Sequence, residues 1–309
     1  MLSGTETAWR PQREVEIIAG TPPGGGLDRT ARALLTAIES GQLLPVPAKV
    51  TNVPGDGARK AWAYIDRFVG DPHVLSISSP NLTTDYLTGI ASFDHSAYTP
   101  LAILCTEYIA FIARRDSGID SAATLLKRLA ADAGALTVAL ATAAGNPNHI
   151  ALARLARHAG ADPRAVKVRI FNSALDAVAD VAAGNADVGA VSAASAVAAL
   201  ATGTLTALGV SAPERLPGPF SNTPAWTELS VDCVVGAWRG VTGPSGLKPA
   251  HTAYWAGVLA AATKTAAWHE ALERHYWTAM YLDGPGLRAY LAREDADMRV
   301  SLRELGLLR

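Results

Sequence analysis

The stretch TPPGGGLD, Thr21 to Asp28, holds the residues in this chain best suited to binding chemistry. Gly24, Gly25 and Gly26 lack the Cβ atoms that would keep successive backbone N–H groups from turning toward one point. The helical spacing that starts at Leu27 adds the unpaired donors and partial positive charge of a helix N-terminus. Glycine turn and helix start together make a backbone site for an anion such as a carboxylate or phosphate. No Lys-Ser/Thr follows the glycines, so this is not a Walker A loop, and the glycine spacing is not that of a dinucleotide fingerprint. The same residues read equally well as a plain strand-to-helix turn capped by Asp28.

A second turn of this kind is AAGNPNH, Ala143 to His149, where Asn146 or Asn148 can cap the next helix and Pro147 suits its first turn. His149 can donate to a ligand carboxylate or serve as a structural donor. Asn172 and Ser173 in FNSALD, and Ser192 in SAAS, mark two further helix starts whose simplest role is capping. Arg239 lies within the apolar GAWRGV, where a guanidinium needs either a bidentate ligand carboxylate or an internal Asp or Glu. HEALERH, His269 to His275, spaces its histidines too widely for adjacent metal ligation and reads as a solvated helix face. Cys105 and Cys233 have no clustered Cys or His beside them; they read as separate buried thiols, with a single bridge open in an oxidising compartment. The lack of a nucleophile elbow, paired carboxylates or a metal cluster favours binding over catalysis. The competing reading is a hydrolase or transferase with His149 as general base, beside which only Asn, Ser and Thr are available.

These turns need elements to hold them. Val15 to Ala19 is a short apolar run, and Leu27, Ala31, Leu34, Leu35 and Ile38 then fall on one helical face. Strand-like and helical segments go on alternating: Lys49 to Asn52 then ARKAWAYIDRFV, His73 to Ile77, YIAFIAR then SAATLLKRLA, LTVALAT then HIALARLARHAG. VKVRIF, ADVGAVS and TLTALGVSA supply further strands, and two closing helices are expected near Pro249 to Thr265 and Gly286 to Leu305. The alternation predicts a mostly parallel α/β sheet with helices on both faces. The proline-rich PERLPGPFSNTPAW reads as a surface connection between lobes. Several strands end in small polar turns that open helices, the place where open α/β sheets bind ligands.

With 309 residues, 49% of them hydrophobic and 18% charged, the chain can bury one large or two medium cores. A net charge of −1 lacks the basic footprint of a nucleic-acid binder. No apolar run reaches the ~18 residues of a membrane span, and MLSGTETAWRPQRE has no signal-peptide core.

EIIAGTPPGGGLDRTAR, VTNVPGDGARKAWAYI and GDPHVLSISS resemble the start of the tripartite tricarboxylate transporter receptors, the Bug-type periplasmic solute-binding proteins. The resemblance continues through GNPNHIALARLA, FNSALDAVADVAAGNADV and AWRGVTGPSGL, in order along nearly the whole chain. It implies a type II periplasmic-binding-protein fold: two αβ lobes with a ligand cleft between them, lobe 1 from 1–105 and 232–309, lobe 2 from 106–231. It implies a monomeric, non-enzymatic periplasmic receptor, its leader removed, with no cofactor, metal or nucleic-acid partner. Such receptors take dicarboxylates, tricarboxylates, acidic amino acids or aromatic acids through backbone amides and ordered water, and deliver them to a membrane transporter or a sensor. Carried over, Thr21, Pro22, Pro23, Gly24, Gly25 and Gly26 would form the first carboxylate loop, with Asp28 behind it and Ser78 and Ser79 beside it. Thr142, Ala143, Gly145, Asn146 and Asn148 would form the facing loop, with Asn172, Ser173 and Ser192 completing that wall. Thr21 and Arg239 stand where aromatics are common, Asn172 where lysine is, and Val191 where an acidic residue is. Losing one cation and gaining another implies a repositioned anion contact.

Overall fold

A computed structural model describes residues 9–309. Strand β1 (Val15–Ala19) leads through the glycine turn into α1 (Gly26–Ser40), which lays Leu27, Ala31, Leu34 and Ile38 against the core. Then come β2 (Ala48–Asn52), α2 (Arg59–Ile65), β3 (Val74–Ser78) and α3 (Asn81–Leu87). β1 pairs in parallel with β2 on one side and β3 on the other, an arrangement that needs the helical crossovers between them.

Strand β4 (Thr99–Arg114) joins two sheets. Its first part, to Tyr108, pairs with β9 and β10, and its second part, from Ile109, pairs with β7 and β8. In the sequence only YIAFIAR reads as a strand here. Most of β4 is buried on both faces, so no alternation marks where it begins.

The second sheet is built by α4 (Ala122–Asp132), β5 (Thr137–Ala141), α5 (Pro147–His158), β6 (Lys167–Phe171), α6 (Ala174–Ala182), β7 (Val188–Ser192), α7 (Ala193–Ala201) and β8 (Leu205–Val210). The chain returns along β9 (Gly236–Gly243) and closes with α8 (Pro249–Ala262), α9 (Ala266–His275), β10 (Thr278–Asp283) and α10 (Gly284–Glu304). Beside the crossing, Ser211 fastens β4 to the segment leading into β9, accepting from Ile109 N at 2.9 Å and donating to Val235 O at 2.6 Å.

Among the described residues the strands make four parallel and five antiparallel pairings, so the expectation of a mostly parallel sheet is corrected. Parallel strands sit within each sheet, and antiparallel ones appear wherever the chain passes between them.

One core lies around Ile17, Leu34, Trp62, Leu75, Trp255 and Trp268, and a second around Phe111, Leu140, Leu155 and Trp226. The proline-rich segment runs along the surface, with Pro213–Arg215 and Pro217–Pro219 exposed, but it is anchored from within. Phe220 and Trp226 are fully buried, and Trp226 meets Phe111 edge to face. Met298 and Leu302, at the far end of α10, also enter the second core. Cys105 and Cys233 are buried free thiols, which corrects the bridged alternative, and burial pushes Cys233 up to about 12. The HEALERH helix exposes His269, Glu270, Glu273 and Arg274 while burying Ala271 and Leu272.

Candidate ligand-binding cleft

Turns from both sheets converge on a cleft of about 330 Å3, in the range typical of small-molecule sites. α1 begins at its floor with Gly25 as an N-cap that brings no side chain. Of its first-turn amides, Gly25 donates to Pro22 O at 2.9 Å and Asp28 to Thr21 Oγ1 at 3.0 Å. Gly26 and Leu27 line the cleft, and their N–H groups lie beyond the reach of intrahelical pairing. Asp28 fastens the turn from behind: it accepts from Gly24 N, Arg32 and Asn52, and these bonds outweigh its burial to hold its carboxyl below the usual range.

The facing turn is fixed by Asn146, which accepts from His149 N at 3.2 Å while its amide reaches Ala141 O and Thr142 Oγ1. Thr142 lines the cleft with φ +74, a left-handed backbone uncommon for a β-branched residue and of the kind that concentrates at binding sites. Its hydroxyl accepts from Asn81 across the cleft at 2.7 Å. Ser173 caps α6, accepting from Asp176 N at 3.1 Å. Ser192, at the start of α7, shares a 2.8 Å hydrogen bond with Ser195. Four helix starts therefore aim partial positive charge into one space.

Arg239 is the cation of the cleft wall, and it has an internal partner. Its Nη2 donates to Glu107 Oε2 at 2.5 Å, and Arg29 stands 3.6 Å from Glu107 Oε1. Glu107 has no solvent exposure; burial pushes its carboxyl up, but the Arg239 and Arg29 guanidiniums outweigh that and hold it below the usual range. Two arginines around one carboxylate leave this wall one positive charge. On the rim, Lys60 and Asp56 form a loose exposed pair 3.9 Å apart. Among the described residues lining the cleft there is no aromatic side chain; the apolar lining is prolines, alanines, Leu27 and Leu175.

Of the residues expected at the site, Thr21, Pro22, Gly25, Gly26, Ser79, Thr142, Asn146, Asn148, Asn172, Ser173, Ser192 and Arg239 line this cleft together. Pro23 and Gly24 are exposed outside its lining, and Asp28 lies beneath the turn. Ser78 is buried within β3 opposite Gly240. Ala143 is buried, and Gly145 sits against Leu302 and Thr88. His149 is buried away from the cleft lining and accepts from Gly145 N through Nδ1, where a donor was expected; burial lowers its pKa to about 4. Val191 faces the core of the second sheet. Sequence reasoning missed Asn81, Ser195 and the Pro54–Ala58 turn as lining groups. The PGDG turn was visible in sequence as a break, but nothing in it pointed toward this cleft.

No protein-family model matches the chain, and no curated protein matches it. Solved structures do. A TctC solute-binding protein from Polaromonas, determined without ligand, is 26% identical over 96% of this chain and 99% of its own, with a TM-score of 0.69. The periplasmic binding protein BugD is 17% identical over 96% of this chain and 99% of its own, with a TM-score of 0.82. A Rhodopseudomonas palustris protein solved with adipate is 17% identical over 96% of this chain and 98% of its own, with a TM-score of 0.86.

Proposed function

Taking as its premise that this chain shares the fold of the TctC and Bug receptors of the tripartite tricarboxylate family, we propose that it is a periplasmic receptor that closes over a small aliphatic carboxylate. The lobes are residues 1–105 with 232–309, and 106–231, of which residues 1–8 lie outside the described residues. Its partner is a tripartite-type membrane transporter, and it works as a monomer without catalysing a reaction.

The observation that carries this reading is the convergence of glycine-turn amides, helix N-termini and the Arg239 guanidinium on a single cleft. Such a site supplies donors and positive charge to an anion. His149, the general base of the competing reading, is buried behind the α5 turn with its Nδ1 engaged. Hydrogen bonds to a charged group contribute about 1.5–3 kcal/mol each, and several of them, less the ordering cost, support micromolar affinity. The lining without aromatics favours aliphatic over aromatic acids, which would find no ring to stack against. The protein solved with adipate is an example of the class.

The test is a thermal-shift panel of succinate, adipate, citrate, glutamate and benzoate. At a hundred times its dissociation constant a ligand adds ~2.7 kcal/mol. That corresponds to roughly 5–10 °C in a chain near this size. An aliphatic acid should give the largest rise and benzoate the smallest. A flat panel, with no carboxylate released on denaturing the purified protein, would sink the proposal.

A further inference from the structure

Glu107 lies where β4 passes from one sheet to the other: its neighbour Tyr108 still pairs with β9, and Ile109 already pairs with β7. Here, at the point about which the lobes would turn, a fully buried carboxylate faces two arginines from separate elements. Arg239, on β9, lines the cleft. Arg29, on α1, does not line it; its Nη2 donates to Ser195 Oγ, on α7 across the cleft, at 3.0 Å. The other end of the Arg29 guanidinium is tied to the glycine turn, with Nη1 donating to Gly24 O at 2.8 Å. Ser195 in turn holds Ser192, a cleft residue.

A Cβ built on Gly26 would lie 3.2 Å from Arg239 Nη2 and 3.8 Å from Glu107 Oε2, so the absence of a side chain there lets the guanidinium lie against the turn.

We propose that Arg29 and Glu107 are positioning residues that set how readily the cleft closes: Glu107 holds Arg239 against the ligand space, and Arg29 latches the first lobe to the second through Ser195. Opening the lobes separates Arg29 from Ser195 and leaves the guanidinium with its tether to Gly24 and the Glu107 charge. Closing restores the third contact and brings Ser192 up to the ligand space. The latch therefore biases the lobes toward closure by an interaction that needs no ligand. This rests on the two-lobed receptor reading but not on which ligand is bound.

The experiment measures the distance between the lobes in the full chain without added ligand. Spin labels are placed on cysteines introduced at Ala63 on α2 and Ala179 on α6, both exposed alanines, while the two native thiols are buried. Arg29→Ala and Ser195→Ala should each move the distribution toward longer distances, and the double variant should move it no further than Arg29→Ala alone. Arg29→Lys, which keeps the charge but loses the fork, should recover only part of the short-distance population. Ser195→Ala removes a single hydroxyl, so it keeps the test open if Arg29→Ala folds poorly. Distributions identical to that of the parent in both single variants, or strictly additive shifts in the double variant, would overturn the latch. Because no ligand enters this measurement, its failure is distinguishable from a flat thermal-shift panel, which bears on the ligand class alone.

Discussion

Arg239 and Glu107 form a buried pair in which neither charge is independent of the other, and this changes what mutating either one does. Removing Arg239 leaves Glu107 with Arg29 alone, 3.6 Å away, so the loss should fall short of the about 3–5 kcal/mol that a wholly uncompensated buried charge costs. Arg239→Ala is therefore expected to weaken carboxylate binding more than tenfold by calorimetric titration and also to lower the denaturation midpoint. A change in affinity alone would show that Arg29 by itself compensates the Glu107 charge. Acid should act through the same carboxyl. Because Glu107 is held below its ordinary 4.5, its contribution to stability is present above that value and is lost as pH falls below it. Glu294 has the opposite sign. Burial pushes it to about 7, against the hydrogen bonds it accepts from Trp238 and Tyr290. Its contribution is present below about 4.5 and fades as pH rises through about 7. Glu294→Gln keeps an oxygen for Trp238 and should flatten the decline in melting temperature between these two pH values.

At the scale of the element, the turns that form the cleft depend on caps as much as on glycine. Asn146 is 3% exposed and serves the α5 amide, the Ala141 carbonyl and the Thr142 hydroxyl at once. Asn146→Ala should cost about 1–2 kcal/mol as a lost cap. It should also weaken ligand binding, because Thr142 loses the group that steadies its left-handed turn. Ser173→Ala removes a cap at an exposed helix start, so denaturant titration should show a smaller loss, about 1 kcal/mol. If the two losses were equal, the additional contacts of Asn146 would carry no energy.

For the whole molecule, the last helix ties the two cores together. α10 starts beside β10 on the first sheet, and its far end places Met298 and Leu302 in the second core, with Leu302 fully buried. Leu302→Ala should cost about 2–5 kcal/mol. By hydrogen exchange the loss of protection should extend into α5, which borders the same cluster, although the mutation lies more than a hundred residues away in sequence. Loss confined to α10 would mean that the helix end is a dispensable cover.

Composition, the strand-to-helix alternation and the glycine turns are local properties, so the α/β class and the cleft-forming turns at Thr21–Gly26 and Thr142–Asn148 were legible in the chain itself. Periodicity and turn chemistry depend on neighbours within a few residues, and the sequence holds those neighbours. What only the tertiary structure decided are pairings across long separations. Arg239 was seen as a guanidinium needing a partner, but the partner lies 132 residues away, and no local pattern marks Glu107 as that partner rather than any other carboxylate. His149 was legible as a helix-start histidine; that it turns its ring nitrogen back to Gly145 depends on how the turn folds over it. The 16-residue β4 hid because burial on both faces erases the alternation that marks a strand. Secondary structure follows from local periodicity, whereas the charge, direction and solvation of a binding site follow from which distant segments meet.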